Sequence, residues 1–136
     1  MFLAALDWCL FVLHAALIAV NLFGWAVPRL RAFTLGCQLF TWLSWLGLGL
    51  VYGLGYCPLT DWHWRVKTAR GEGPLPQSLV KYYLDAWTGA HTDPFWIDVL
   101  TVSAFTVATL LNSALLWRGC RRRQQAAREA GQHTVT

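Results

Sequence analysis

A thiol, a carboxylate and an imidazole fall within seven residues of one another at Cys57, Asp61 and His63. Those groups are the raw material of a metal site, or of a nucleophile with its base. Spacing limits both uses. On a helix, Asp61 and His63 are two positions apart and do not face each other, and Cys57 precedes the break at Pro58. No metal site is expected from this segment alone, and an enzyme site would have to draw on His91, Asp7 or Asp98. The competing reading is structural, with Cys57 buried, Thr60 or Asp61 capping a helix, and Trp62 and Trp64 acting as anchors.

A second set of polar residues lies inside apolar stretches. Asp7, His14 and Asn21 recur every seven residues, nearly two helical turns, so they form one stripe along a helix. Thr34, Gln38, Thr41, Trp45 and Tyr52 share a face of a second stretch. Asp98, Thr101 and Asn112 share a face of a third, flanked by Thr106, Thr109 and Ser113. With alternating helix directions, Asn21, Gln38 and Asn112 fall in one layer. His14 falls in a middle layer with Ser44, Trp45 and Thr106, and Asp7, Tyr52 and Asp98 fall in another. Polar groups in hydrocarbon are costly unless they face protein or water, so the three stripes should face one another. Such contacts can simply hold helices together. His14 could instead relay protons or ligate a metal or haem. No second histidine lies in these stretches, so haem would need a dimer or another axial ligand.

The elements that carry these residues are three apolar runs, roughly Phe2–Val27, Phe33–Tyr56 and Phe95–Trp117. Each is longer than the ~20 residues needed to cross a bilayer core. With 136 residues, 56% of them hydrophobic and 13% charged, the chain is too apolar for an ordinary soluble domain. The first run lacks the basic start and small-residue cleavage site of a signal peptide. Arg29, Arg31, Arg118, Arg121, Arg122, Arg123 and Arg128 lie at one end of the runs, and the loop between runs two and three is neutral, with four basic and four acidic residues. That bias predicts an external N-terminus and a cytoplasmic C-terminus. The arginine run past the third stretch reads as a contact with anionic lipid rather than with nucleic acid, and no nucleic-acid partner is expected. Four cysteines show no metal-finger spacing. Cys9 should lie too deep to pair with Cys57 in a relaxed disulfide.

Between runs two and three, Pro58 ends a helix, and a new one is expected to run to about Arg70 and stop at Gly71. Its apolar face is Trp62, Val66 and Ala69, and its polar face His63, Lys67 and Arg70. A second short helix is expected over about Gln77–Trp87, ending at Gly89. Asp93-Pro94 then opens the third run. Both short helices should lie in the membrane interface as a lid, anchored by Trp62, Trp64, Tyr82 and Trp87.

The Cys57-Pro58-Leu59-Thr60 run after the second stretch, with His14 in the first, resembles small bacterial membrane proteins grouped as domain of unknown function 2784. Asp61, Trp62 and Tyr82–Tyr83 match further features of that family, and the likeness covers most of residues 5–117. It implies a bacterial inner (plasma) membrane and no established activity. The basic tail after Trp117 falls outside the pattern.

The fold expected is therefore all-α and integral to a membrane: three transmembrane helices with an interfacial loop over 57–94, followed by an unstructured basic tail over 118–136. So thin a bundle should self-associate or join a larger membrane complex. The expected function is a small non-catalytic subunit or binding module, whose polar seam is Asp7, His14, Asn21, Gln38 and Asn112. One alternative is an interfacial enzyme acting on a lipid-borne substrate through Cys57, Asp61 or His63 with His14. Another is a proton or ion conduit completed in an oligomer.

Overall fold

The computed structural model describes residues 1–53 and 55–133. Every regular element among them is helical. Helix α1 (Phe2–Phe23) ends in a 3-10 turn at Gly24–Ala26. Helix α2 (Arg31–Trp42) continues through a π-helical stretch (Leu43–Leu48) into α3 (Gly49–Tyr52). Helices α4 (Pro58–Ala69) and α5 (Leu79–Thr88) precede the long α6 (Pro94–His133). Three stretches are long and apolar enough to span a membrane: Phe2–Ala26, Arg31–Tyr52 and Pro94–Ala130.

The bundle is built inside out compared with a water-soluble protein. The buried residues of α1 are Asp7, His14 and Asn21, and those of α2 are Thr34 and Gln38. Phe2, Trp8, Leu13, Phe40, Leu43, Leu50, Trp96, Leu100 and Leu110 are all exposed. This is the arrangement that an apolar solvent would favour, since there each polar group needs a partner inside. The apolar contribution to the core is small. Phe105 of α6 packs against Trp42 and Trp45, with ring centroids 5.1 and 5.2 Å away, and Ile97 and Ala108 of the same helix are also buried.

The layer of amides expected from the sequence forms. Gln38 Nε2 donates to the Asn21 carbonyl at 2.9 Å. Asn112 Nδ2 donates to Gln38 Oε1 at 3.0 Å and lies equally close to the Arg31 carbonyl. Asn21 Nδ2 donates to Thr41 Oγ1 at 3.0 Å. Three helices are thereby joined in one plane. Just below it, the turn at Gly24 crosses the buried Thr34 so closely that a Cβ at Gly24 would sit 2.2 Å from Thr34 Oγ1. Thr101, Thr106 and Thr109 on α6 instead donate to carbonyls one turn back in their own helix, the usual way for a threonine to satisfy itself in a helix.

The second spanning stretch ends at Tyr52, four residues earlier than expected, where Gly53 takes φ +104°. Residue 54, inside the expected run, lies outside the described residues. The chain then reverses. Ser44 Oγ donates to the Tyr56 carbonyl at 2.9 Å, although Tyr52 is already about 12 Å further along the helix axis than Ser44. Helix α4 therefore starts at the level of Ser44, deep in the bundle. It then climbs antiparallel to α1 toward the mouth, the end where α1 begins.

Three expectations about these segments change. Helix α4 does not present its polar face to water. Thr60, His63 and Lys67 are its buried residues, because the Asp7 carboxylate on α1 needs partners and this stripe supplies them. Its N-cap is Cys57 with Pro58 in the first turn, not Thr60 or Asp61; proline's fixed φ suits that position. The tail also does not lose structure at Arg118, since α6 runs on to His133. Its Arg, Gln, Ala and Glu residues are good helix formers, and the Arg121 guanidinium stacks 3.8 Å over the Trp117 ring. Residues 134–136 of that tail lie outside the described residues.

Helix α5 begins where Ser78 Oγ accepts from the Lys81 backbone N–H, and ends at Gly89 with φ +69°. It lies against the first half of α1, with Tyr83 and Trp87 ring centroids 4.7 and 6.2 Å from Phe11. Asp93 Oδ1 accepts from the Phe95 backbone N–H at 2.8 Å and opens α6, with Pro94 as its first residue.

Candidate functional site

Asp7, one stripe position above His14, is the centre of a charged cluster at the mouth. Its Oδ1 accepts from His63 Nε2 at 2.7 Å and lies 3.3 Å from Lys67 Nζ. Its Oδ2 accepts from Arg70 Nη1. His63, Lys67 and Arg70 are spaced 3–4 residues apart on α4, so one helical face delivers an imidazole and two cations to one carboxylate.

A second carboxylate closes the cluster. Gly71, with φ +84°, turns the chain so that the Glu72 backbone N–H donates to the Lys67 carbonyl at 3.1 Å. Glu72 Oε2 then accepts from Lys67 Nζ and from Tyr82 Oη, each at 3.0 Å. Lys67 Nζ also sits over the rings of Tyr82 and Tyr83, 4.9 and 5.8 Å from their centroids. Two carboxylates thus face two fixed cations. Burial acts to lower the Lys67 pKa, but the Glu72 hydrogen bond, the tyrosines and Asp7 outweigh it and hold the ammonium above its ordinary range. The Lys67 hydrogen bond keeps the Glu72 carboxyl below its ordinary value, and burial pushes the Tyr83 hydroxyl up.

Of the three residues that opened the sequence reading, only His63 reaches this cluster. Asp61 points to the other side of α4 and pairs with the exposed Arg65, 3.0 Å away. Cys57 is a free, half-buried thiol at the start of the helix. Among the described residues no group of three or more His, Cys, Asp or Glu side chains is arranged to hold a metal ion. His91 is exposed, and so are Asp98 and Tyr52, which do not join Asp7. The four expected anchors divide evenly. Trp62 and Trp87 are exposed. Trp64 Nε1 donates to the Pro76 carbonyl at 2.7 Å, and Tyr82 is tied to Glu72, so these two fasten the loop internally.

His14 lies on the Asp7 stripe about 10 Å further in. That brings it beside the first turn of α4, since α4 starts at the level of Ser44 and meets Asp7 through His63. Among the described residues, His14 Nδ1 and His63 Nδ1 are both buried without a hydrogen-bond partner.

Reading the sequence placed Lys67 and Arg70 with His63 on the polar face of an interfacial helix and passed over Glu72. The signal was present in the spacing of His63, Lys67 and Arg70, which continues one polar stripe. Deciding that the stripe turns inward required knowing where α4 starts.

A family model described as "Protein of Unknown function (DUF2784)" matches residues 4–117. No curated protein and no solved structure matches the chain.

Proposed function

We propose that this chain, which belongs to the DUF2784 family, is a multi-pass membrane protein acting as a non-catalytic subunit or binding module. The observation that carries the reading is the closure of the Asp7 cluster. Both Asp7 oxygens are engaged, Lys67 and Arg70 are neutralised by Asp7 and Glu72, and Cys57 and Asp61 stand apart. A cluster so occupied clamps α4 and the loop after it onto α1, and offers a substrate little to replace.

Exposed aromatics support the transmembrane placement. Phe2 and Trp96 stand near the mouth, and Phe23 and Trp117 near the opposite end. Each pair on its helix is about 32 Å apart at 1.5 Å per residue, close to the ~30 Å of a hydrocarbon core. Seven arginines beyond the second girdle favour a cytoplasmic location for that end, in a bacterial inner membrane by the family resemblance. Helices α4 and α5 then belong to the outer half of the bundle. The wide apolar flanks of α1, α2 and α6 are free to receive another copy of the chain or the helices of a larger complex.

The test is native mass spectrometry from membrane-derived nanodiscs, paired with labelling of Cys120 by an impermeant maleimide. A complex larger than one chain, with Cys120 labelled only from the cytoplasmic side, is the expected result. A chain that remains monomeric in its native lipid overturns the subunit reading. Labelling of Cys120 from outside overturns the orientation.

A further inference from the structure

Helix α6 keeps two distinct faces after it leaves the bundle. Its buried side chains are Ile97, Phe105, Ala108 and Asn112. Continued at the same spacing of three or four residues, that stripe passes through Gly119, Arg123, Ala126 and Ala130. The opposite face carries the exposed Val107, Leu110 and Leu111. Arg118 lies seven residues past Leu111 and Arg122 eleven, while Arg121 lies eleven past Leu110. Both intervals nearly complete whole turns, so these three arginines prolong the apolar face that the bundle turns outward. All three are exposed.

Depth also groups them. Arg118, Arg121 and Arg122 lie about 2, 6 and 8 Å past Trp117 along the helix axis. Headgroups occupy about 5–7 Å on each side of the hydrocarbon core. Arg128 is about 16 Å past Trp117, beyond that layer, and Arg123 shares the depth but sits on the inner stripe. Arg121 is held at its level by stacking 3.8 Å over the Trp117 ring. Among the described residues, the ion pairs engage Asp7, Asp61, Glu72 and Asp85, and none involves these arginines. Arg118 and Arg122 are one turn apart, where like charges repel. One anion between them replaces that repulsion with two attractions, and the guanidinium fork matches the oxygens of a phosphate.

We propose that Arg118, Arg121 and Arg122 form a binding site on the outer face of α6 for the phosphate of an anionic phospholipid. The charged site and the apolar stripe are one continuous surface, so its ligand presents an anion with hydrocarbon directly beside it. A phospholipid does so, with its acyl chains along Leu110, Leu111 and Val107. An acidic protein surface matches the arginines but not the stripe. The site rests on the transmembrane placement proposed above for the depth of these residues, and not on the oligomeric state.

The experiment is native mass spectrometry of the full chain in detergent micelles, titrated with phosphatidylglycerol or phosphatidylcholine of identical acyl chains. One phosphatidylglycerol is expected to bind about tenfold more tightly than phosphatidylcholine. The double variant Arg118→Gln, Arg122→Gln should lose that preference. The variant Arg123→Gln, Arg128→Gln removes the same charge from the inner stripe and from beyond the headgroup layer, and should keep it. Equal weakening in the two variants would indicate diffuse attraction and overturn the site. Equal affinity of the wild type for both lipids also overturns it, a comparison that needs no variant to fold. Displacement of the lipid by inorganic phosphate at matched concentration makes this a free-anion site, and displacement by polyglutamate assigns the face to acidic protein; either result overturns the lipid assignment. Lipid is counted per chain, so a monomer that keeps its lipid fails the subunit reading alone, and an oligomer without the preference fails this one alone.

Discussion

His63 Nε2 lies 2.7 Å from Asp7 Oδ1, joining two residues 56 positions apart in the chain. The contact sets the height of α4 against α1. It also explains why α4 turns its most polar face inward. With the outer surface of the bundle apolar, the carboxylate of α1 and the cations of α4 have each other as partners, and the loop past Gly71 returns Glu72 to complete the charge balance.

Replacing Asp7 by Asn should therefore destabilise the fold strongly. The substitution removes one charge and strands Lys67 and Arg70 against a single remaining carboxylate. Breaking a buried ion pair from one side costs about 3–5 kcal/mol; exposure of Arg70 places the expected loss near the lower end, about 3 kcal/mol. Thermal unfolding of the detergent-solubilised variant measures it. A midpoint equal to that of wild type would show that the cluster does not hold α4 in place.

Gly24→Ala should cost about 1–3 kcal/mol, as overpacking does elsewhere. The added methyl would meet Thr34 Oγ1 at 2.2 Å and the Thr34 carbons at 3.2 Å, and Thr34 is fully buried. The double variant Gly24→Ala, Thr34→Ala should recover much of the loss. Absence of recovery in chemical denaturation would mean that the clash is relieved elsewhere.

Asn112→Leu keeps the bulk of the side chain and removes the hydrogen bonds to Gln38 and the Arg31 carbonyl. Interhelical bonds of this type are worth about 0.6–2 kcal/mol, and the stranded Gln38 Oε1 adds to the loss. The expected phenotype is looser α6 packing, read as faster hydrogen exchange at Phe105–Asn112. Unchanged exchange there would contradict the role given to the amide layer.

Acid should loosen the segment from Gly71 to Asp93 before the bundle itself. The Asp85 carboxyl is held at about 2, first by its Lys81 hydrogen bond and then by the Thr92 side chain and backbone. Glu72 is also depressed. A depressed carboxyl contributes stability that is complete above its unfolded pKa and is lost as pH falls through the folded one. For Asp85 that window runs from its ordinary 3.8 down to about 2. The protection of α5 amides, taken relative to the intrinsic exchange rate at each pH, should therefore fall across it. Protection that falls as pH rises instead would refute the assignment.

Much of the architecture was legible in the chain itself. The seven-residue spacing of Asp7, His14 and Asn21, set against uniformly apolar neighbours, determined a helix with one polar stripe. The positions of Gln38 and Asn112 determined the layer in which Asn21 would be met, because helix rise converts sequence distance into depth. Gly71 and Gly89 marked where the short helices stop and Asp93-Pro94 where α6 begins, since each acts through local backbone geometry; Pro58 proved to start α4, the second run having already ended at Tyr52. Two things depended on tertiary structure. One was the depth at which α4 starts, which follows from a reversal after Tyr52 and the Ser44 contact with the Tyr56 carbonyl. The other was which cations Asp7 chooses. His63, Lys67 and Arg70 present the same pattern to water as to a buried carboxylate, and only the packing of α4 on α1 distinguishes the two. A polar stripe records that partners are needed, while the partner itself is a matter of long-range geometry.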